Sequence, residues 1–119
     1  RLHLYTVPGQ EQLAATRATM LRGVDGIVFV ADAQRDRITD NERSLAELAE
    51  TLQRQGRSLD DLPLVLQYNK VDLATALTTA QLDARYNPGS VPSISASALT
   101  GYGVAETLQA IVRDVIERL

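Results

Sequence analysis

The 119-residue sequence has no cysteine and no tryptophan, and only one phenylalanine, one methionine and one histidine. Lack of cysteine removes disulfide scaffolds, thiol nucleophiles and thiolate zinc sites together, and it fits a reducing cytoplasm. With His3 as the sole imidazole, a serine/histidine catalytic pair would depend on that one residue. Lysine is nearly absent as well: Lys70 is the only one, and 12 basic side chains face 15 acidic ones for a net charge of −3. That balance excludes a basic carpet for sliding on nucleic acid, so any phosphate would have to be held by backbone N–H groups. The longest apolar run extends only from Ile27 to Ala31, far short of the roughly 20 residues of a membrane span. No basic-then-apolar leader opens the sequence, which reads as soluble and unexported.

What is there, 45% hydrophobic and 23% charged residues, suffices for one domain with one core. Arg1 to Val7 alternates apolar and less apolar side chains and predicts a strand ended by Pro8-Gly9, with His3 as an ordinary strand residue. The stretch from Gln12 to Arg22 is helical in spacing, with Gly23 at the C-cap. Val24 to Asp32 carries an unbroken β-branched and aromatic run, the pattern of a strand buried on both faces of a parallel sheet. Asn41 to Gln55 sets Leu45, Leu48 and Leu52 on one helical face as core packing, with Asp40 as N-cap and Gly56 as the stop. Leu62 to Tyr68 is a second buried strand, Asn69 to Thr78 a loop, and Ala80 to Tyr86 a short helix capped by Thr78 and closed by Asn87-Pro88-Gly89. Val91 to Ser95 makes a short strand whose Pro92 argues for an edge. Val104, Leu108, Ile111, Val115 and Leu119, with Val112 beside them, draw an apolar stripe on a terminal helix entered through Gly101-Tyr102-Gly103.

Strand and helix thus alternate four times, which through right-handed crossovers gives a three-layer α/β/α sandwich with a mostly parallel sheet. Ligands of such sheets bind outside the carboxyl ends of the strands, so the loops there carry the chemistry. The most informative is Asn69-Lys70-Val71-Asp72. A held aspartate accepts two parallel hydrogen bonds from the N1–H and the exocyclic amine of guanine, whereas adenine leaves it unpaired. Asp72 is suited to this, Asn69 can tie neighbouring loops together, and the Lys70 stem can cover the base while its ammonium stays wet. Three fixed residues arise by chance on the order of once in eighty chains of this size; their position directly after a buried strand adds weight. The following strand ends in Ser95-Ala96-Ser97-Ala98, where small residues let backbone N–H groups approach a guanine O6. Asp32 ends its strand on the same side of the sheet and reads as an ordinary loop or capping aspartate. Arg35, Arg37 and Arg43 beside Asp36, Asp40 and Glu42 read as a mixed-charge surface.

With TVPGQ ending the first strand, NKVD the third and SASALTGYGV the fourth, the whole chain resembles the Ras-like small GTPases, and most closely the bacterial polarity and gliding-motility GTPases of the MglA type. The resemblance implies a P-loop NTPase fold, GTP and GDP as ligands with Mg²⁺, and hydrolysis of GTP to GDP. It implies that Gly9 senses the γ-phosphate through its N–H and that Gln10 orients the attacking water, a positioning role. It assigns Asn69, Lys70, Asp72, Ser97, Ala98 and Leu99 to the nucleotide. Leu99 stands where many relatives have lysine and offers only apolar packing. Thr6 replaces the aspartate that most Ras-like proteins link to the metal through water; the bacterial subgroup shares this threonine. The implied partners are a roadblock-type GTPase-activating dimer and polarity effectors.

The phosphate-binding string GxxxxGK[ST] does not occur in these 119 residues. The resemblance places it, with switch I and two strands, ahead of residue 1. The chain is therefore expected to be the carboxyl-terminal portion of a single small GTPase domain, residues 1–119, binding GTP weakly or not at all by itself. One missing strand would lie between the first two strands here, separating them by about 9.6 Å, twice the inter-strand spacing. Either the first strand closes up on its neighbour, or it stays a loose edge, or a complementing segment is needed. The competing function is a truncated or degenerate module that keeps the fold for protein interaction without hydrolysis. A receiver or flavodoxin-like domain fits the alternation but leaves NKVD unexplained.

Overall fold

The structure, a computed structural model, describes residues 4–8, 19, 21–97 and 100–118, and of residues 5–8 only the backbone. Four strands form one sheet in the order β1 (Leu4–Pro8), β2 (Gly26–Asp32), β3 (Leu64–Asn69), β4 (Ser93–Ser95), every neighbouring pair parallel. Among the described residues three complete helices accompany them: α1 (Ile38–Arg54), α2 (Thr79–Tyr86) and α3 (Val104–Glu117). Thr19 and Leu21 are helical, while most of the predicted helix from Gln12 lies outside the described residues, as do Leu2 and His3.

Period-two alternation sorts the strands onto two faces. Ile27, Phe29 and Ala31 of β2 and Leu64, Leu66 and Tyr68 of β3 join Leu48 and Leu52 of α1 and Leu82 and Tyr86 of α2 in one core. Val28 and Val65 face the other way and pack with Ile111 and Val115 of α3, which is the only helix on that face among the described residues. These are the layers the alternation of elements predicts. Strand β4 is shorter than the predicted Val91–Ser95, since Pro92 lies just ahead of it, and it stands at an edge of the sheet formed by the described strands.

Of the three fates open to the first strand, the closed one is realised. Leu4 pairs with Gly26, Thr6 with Val28 and Pro8 with Val30, so β1 and β2 are hydrogen-bonded neighbours with no gap.

Two local expectations need correction. Asp40 does not cap α1; a 3-10 turn over Arg35–Arg37 runs straight into a helix that already starts at Ile38. The cause is Asn41, which is 1% exposed and whose side chain bonds back to β2, drawing the first helical turn down onto the sheet. The apolar stripe of α3 is also rotated. Thr107, Ile111 and Val115 are buried, while Leu108 is 57% and Ile116 55% exposed, and Val104 is exposed too. The buried Gln67 amide on β3 donates to Thr107 Oγ1 at 2.9 Å, and that hydroxyl donates to Gly103 O at 2.8 Å. A polar side chain on the sheet thus selects a polar side chain for the helix's inner face, since an unpaired buried amide would cost about 1–3 kcal/mol.

Thr78 caps α2 as expected, in a reciprocal box with Gln81. From the same helix, Asp83 Oδ1 accepts from the fully buried Tyr68 hydroxyl at 2.6 Å and from Asn87 Nδ2 at 3.3 Å. Burial works against the Asp83 charge, but the Tyr68, Ser93 and Asn87 donors outweigh it and hold the carboxyl below its usual range. Burial, followed by the carboxylate, pushes the Tyr68 phenol up. A depressed carboxyl stabilises the fold fully above its unfolded value, near pH 4, and that contribution disappears as pH falls through the lower folded value. Tyr68→Phe should therefore cost about 1 kcal/mol at pH 7 and flatten the decline of stability below pH 4. Urea midpoints measured from pH 7 to pH 3 check this; parallel wild-type and Tyr68→Phe profiles would refute it.

Candidate functional site

Parallel register brings polar residues together at the carboxyl edge of the sheet. Asp32 and Asn69 end β2 and β3 side by side as register partners. Backbone bonds then knit the loops that follow: Ala33 N–H donates to Asn69 O at 2.8 Å, Leu77 N–H to Ala33 O at 2.8 Å, and Arg35 N–H to Thr75 O at 3.0 Å. Val71 N–H donates to Ala96 O at 3.3 Å, joining the loop after β3 to the one after β4. The three loops form one connected surface.

At its centre the chain turns sharply. Lys70 adopts φ +66, a left-handed conformation that costs a non-glycine residue about 1–2 kcal/mol. Three contacts hold it there: Asn69 Oδ1 accepts the Lys70 N–H at 2.9 Å, Leu73 N–H donates to Lys70 O at 3.1 Å, and Val71 is tied to Ala96. Strain of this kind persists where surrounding structure over-determines it, and it concentrates at ligand sites. Two residues on, Asp72 is exposed and makes no side-chain hydrogen bond or ion pair with a described residue.

The Lys70 ammonium is not simply wet, as its stem position suggested. It pairs with Asp32 Oδ2 at 2.9 Å, the Asp32 side chain being only 18% exposed. Asp32 Oδ1 accepts from Gln34 N–H at 3.0 Å, and Gln34 Nε2 donates to both carboxylate oxygens at 3.1 Å. Burial opposes the Asp32 charge, but Gln34 and Lys70 outweigh it and keep the carboxyl below its ordinary value. Asn41 brackets the same residue, accepting from Asp32 N–H at 3.2 Å and donating to Asp32 O at 2.8 Å. Sequence reasoning missed Asp32, Gln34 and Asn41 as members of this site. The available signal was that both buried strands end on a polar residue, which in-register parallel pairing sets side by side.

Asn69, Lys70, Asp72 and Ser97 are brought to one edge of the sheet by these loops. Ser97 is buried, and its N–H already donates to Tyr102 O at 2.9 Å, while Ala96 N–H donates to Tyr68 O at 2.7 Å. Neither N–H is free for a ligand oxygen. Gly9, Gln10, Ala98 and Leu99 lie outside the described residues; Thr6 is described as a backbone position of β1 opposite Val28. Arg37 pairs with Asp40 at 3.3 Å and Arg85 with Glu42 at 3.6 Å, all well exposed, as a mixed-charge surface would have it. No three acidic or histidine side chains gather to hold a metal ion among the described residues, so no step is assigned through magnesium. No described helix is long and apolar enough to cross a membrane.

Residues 1–115 match the ADP-ribosylation factor family. The chain is 45% identical over 119 residues to the Mutual gliding-motility protein MglA of Myxococcus xanthus (strain DK1622), covering 100% of this chain and 61% of that protein. It is 30% identical over 128 residues to ADP-ribosylation factor-related protein 1 of Rattus norvegicus and of Mus musculus, again covering 61% of each. The chain therefore spans about three-fifths of the length of the curated relatives it matches.

Proposed function

The chain belongs to the ADP-ribosylation factor family of small GTPases, and we propose that it carries the guanine-reading part of a GTP-binding switch that hydrolyses GTP to GDP and acts in cell polarity or gliding motility. The observation that carries this reading is the strained Lys70 turn, which leaves the Asp72 carboxylate exposed, and unpaired among the described residues, at the carboxyl edge of a parallel sheet. In it Asp72 accepts the N1–H and the 2-amino group of guanine, Asn69 holds the turn, and the Lys70 stem covers one face of the base. Ser97 shapes the adjoining loop from within. Ala98 and Leu99 belong to the same reading, Leu99 by apolar packing against the base, while the N–H groups of Ala96 and Ser97 are engaged within the fold. Gly9 senses the γ-phosphate and Gln10 positions the attacking water, so that catalysis is a matter of orientation and charge stabilisation. A bound magnesium ion would supply charge neutralisation between the phosphates, with Thr6 near its outer shell. A roadblock-type dimer as GTPase activator, polarity effectors and a cytoplasmic location belong to the same reading; the gliding-motility relative supports the motility role alone.

Displacement of a fluorescent GDP analogue from the whole encoded polypeptide tests it. GDP should compete at least roughly 10³-fold better than ADP, since a site built around paired hydrogen bonds rejects a ligand that leaves them unmade. Residues 1–119 alone should show the weak limit of this binding. Equal competition by GDP and ADP would sink the proposal.

A further inference from the structure

We propose that Asp32 is a positioning residue for guanine recognition: it draws the Lys70 side chain across the mouth between β2 and β3 and so presents its aliphatic stem to the base. This rests on the guanine-binding reading above and adds to it a residue on a different strand.

Lys70 follows Asn69, and Asn69 is the register partner of Asp32 on the neighbouring strand. A lysine anchored after the end of β3 with its ammonium on Asp32 Oδ2, at 2.9 Å, must therefore lay its four-carbon stem from one strand end toward the other. The stem then forms an apolar bar between the two strand ends rather than a free tether. An isolated surface ion pair would achieve little, because two mobile side chains must be ordered to make it. Here one partner is already ordered. The Asp32 carboxylate is held by the Gln34 N–H and Nε2, and its backbone is bracketed by Asn41. Gln34 Oε1 in turn accepts from Thr75 Oγ1 at 3.2 Å, and Thr75 O accepts the Arg35 N–H, which closes a ring of contacts back to the loop that carries Lys70. Only the lysine stem has freedom to lose, and the pairing removes it before any ligand arrives. Preorganisation of that kind raises affinity by reducing the ordering cost of binding.

The test is a double-mutant cycle in the whole encoded polypeptide, read as GDP affinity by displacement of a fluorescent GDP analogue. Asp32→Asn keeps an acceptor for the Gln34 N–H and removes the charge, and it should weaken GDP by about three- to tenfold, the range expected when one long side chain must be ordered on binding. In a Lys70→Met background the same substitution should change GDP affinity less than twofold. A carboxylate that merely supports the fold would lower affinity equally in both backgrounds, and that result, or no effect in either, would overturn the proposal. Gln34→Ala provides a second variant, with a smaller loss expected in the Lys70 background only. A ligand-free readout is also available, since Lys70 is the only lysine of these 119 residues: acylation of its peptide by an amine-reactive ester should accelerate several-fold in Asp32→Asn, and an unchanged rate would count against the pairing. If the unmodified protein holds ADP as tightly as GDP, the guanine reading itself fails and the positioning role falls with it.

Discussion

Gly103→Ala is expected to destabilise the domain by about 4 kcal/mol, a large part of the 5–15 kcal/mol that holds a typical domain together. Gly103 sits at φ +76 at the start of α3, buried beneath the end of β4. An added Cβ would collide with Ser95 O and lie 3.0 Å from the Ala96 Cα, both backbone atoms that cannot rotate away. Two costs combine. The left-handed conformation costs a side chain about 1–2 kcal/mol, and overpacking against a fixed backbone costs about 1–3 kcal/mol or more. Gly101 separates the two: it has φ +79 but nothing within 4 Å of its Cβ position, so Gly101→Ala should show the conformational cost alone, near 1 kcal/mol. Urea unfolding of both variants reads the difference; comparable midpoints would mean that β4 and α3 can part without penalty. Relief of the clash would shift Ala96, the acceptor for Val71 N–H, so nucleotide binding should weaken along with stability.

Asp72→Ala is the largest expected change in function. A hydrogen bond to a charged acceptor contributes about 1.5–3 kcal/mol, and the carboxylate is proposed to accept two from guanine. Even with the discount due to an exposed group, GDP affinity in the whole polypeptide should fall on the order of 10²- to 10³-fold, at about 1.4 kcal/mol per tenfold. ADP affinity should stay where it was, so that the preference between the purines collapses. Asp72→Asn is more discriminating, because it exchanges one acceptor for a donor. An asparagine can accept the N1–H of xanthine and donate to its 2-oxo group, so the variant should prefer XDP to GDP. Competition measurements with the three nucleotides decide it. A retained preference for GDP in Asp72→Ala would remove Asp72 from the site and leave the Lys70 turn without a role. Because Asp72 is exposed and unpaired among the described residues, neither substitution should lower the urea midpoint, which distinguishes loss of recognition from loss of fold.

Local chemistry was written plainly along the chain. The unbroken apolar runs around Ile27–Ala31 and Leu64–Leu66 demand burial on two faces, the Leu45, Leu48, Leu52 spacing demands one helical face, and Thr78 with Gln81 closes a cap within four residues. These depend on neighbours in sequence and on the period of the backbone. The proposed choice of purine rests on a signal of the same local kind, since Asn69, Lys70 and Asp72 lie within a single turn. Contacts between strands were not legible. Nothing in the string joins Lys70 to Asp32, Asn41 to the end of β2, or Gln67 to Thr107; each pair exists only once parallel register and crossover direction have put two distant segments at one height on the sheet. Composition and period can say which residues are hidden. A buried polar group, however, must find a partner wherever folding has carried one, and that requirement rotated α3, started α1 early and set a lysine across the strand ends.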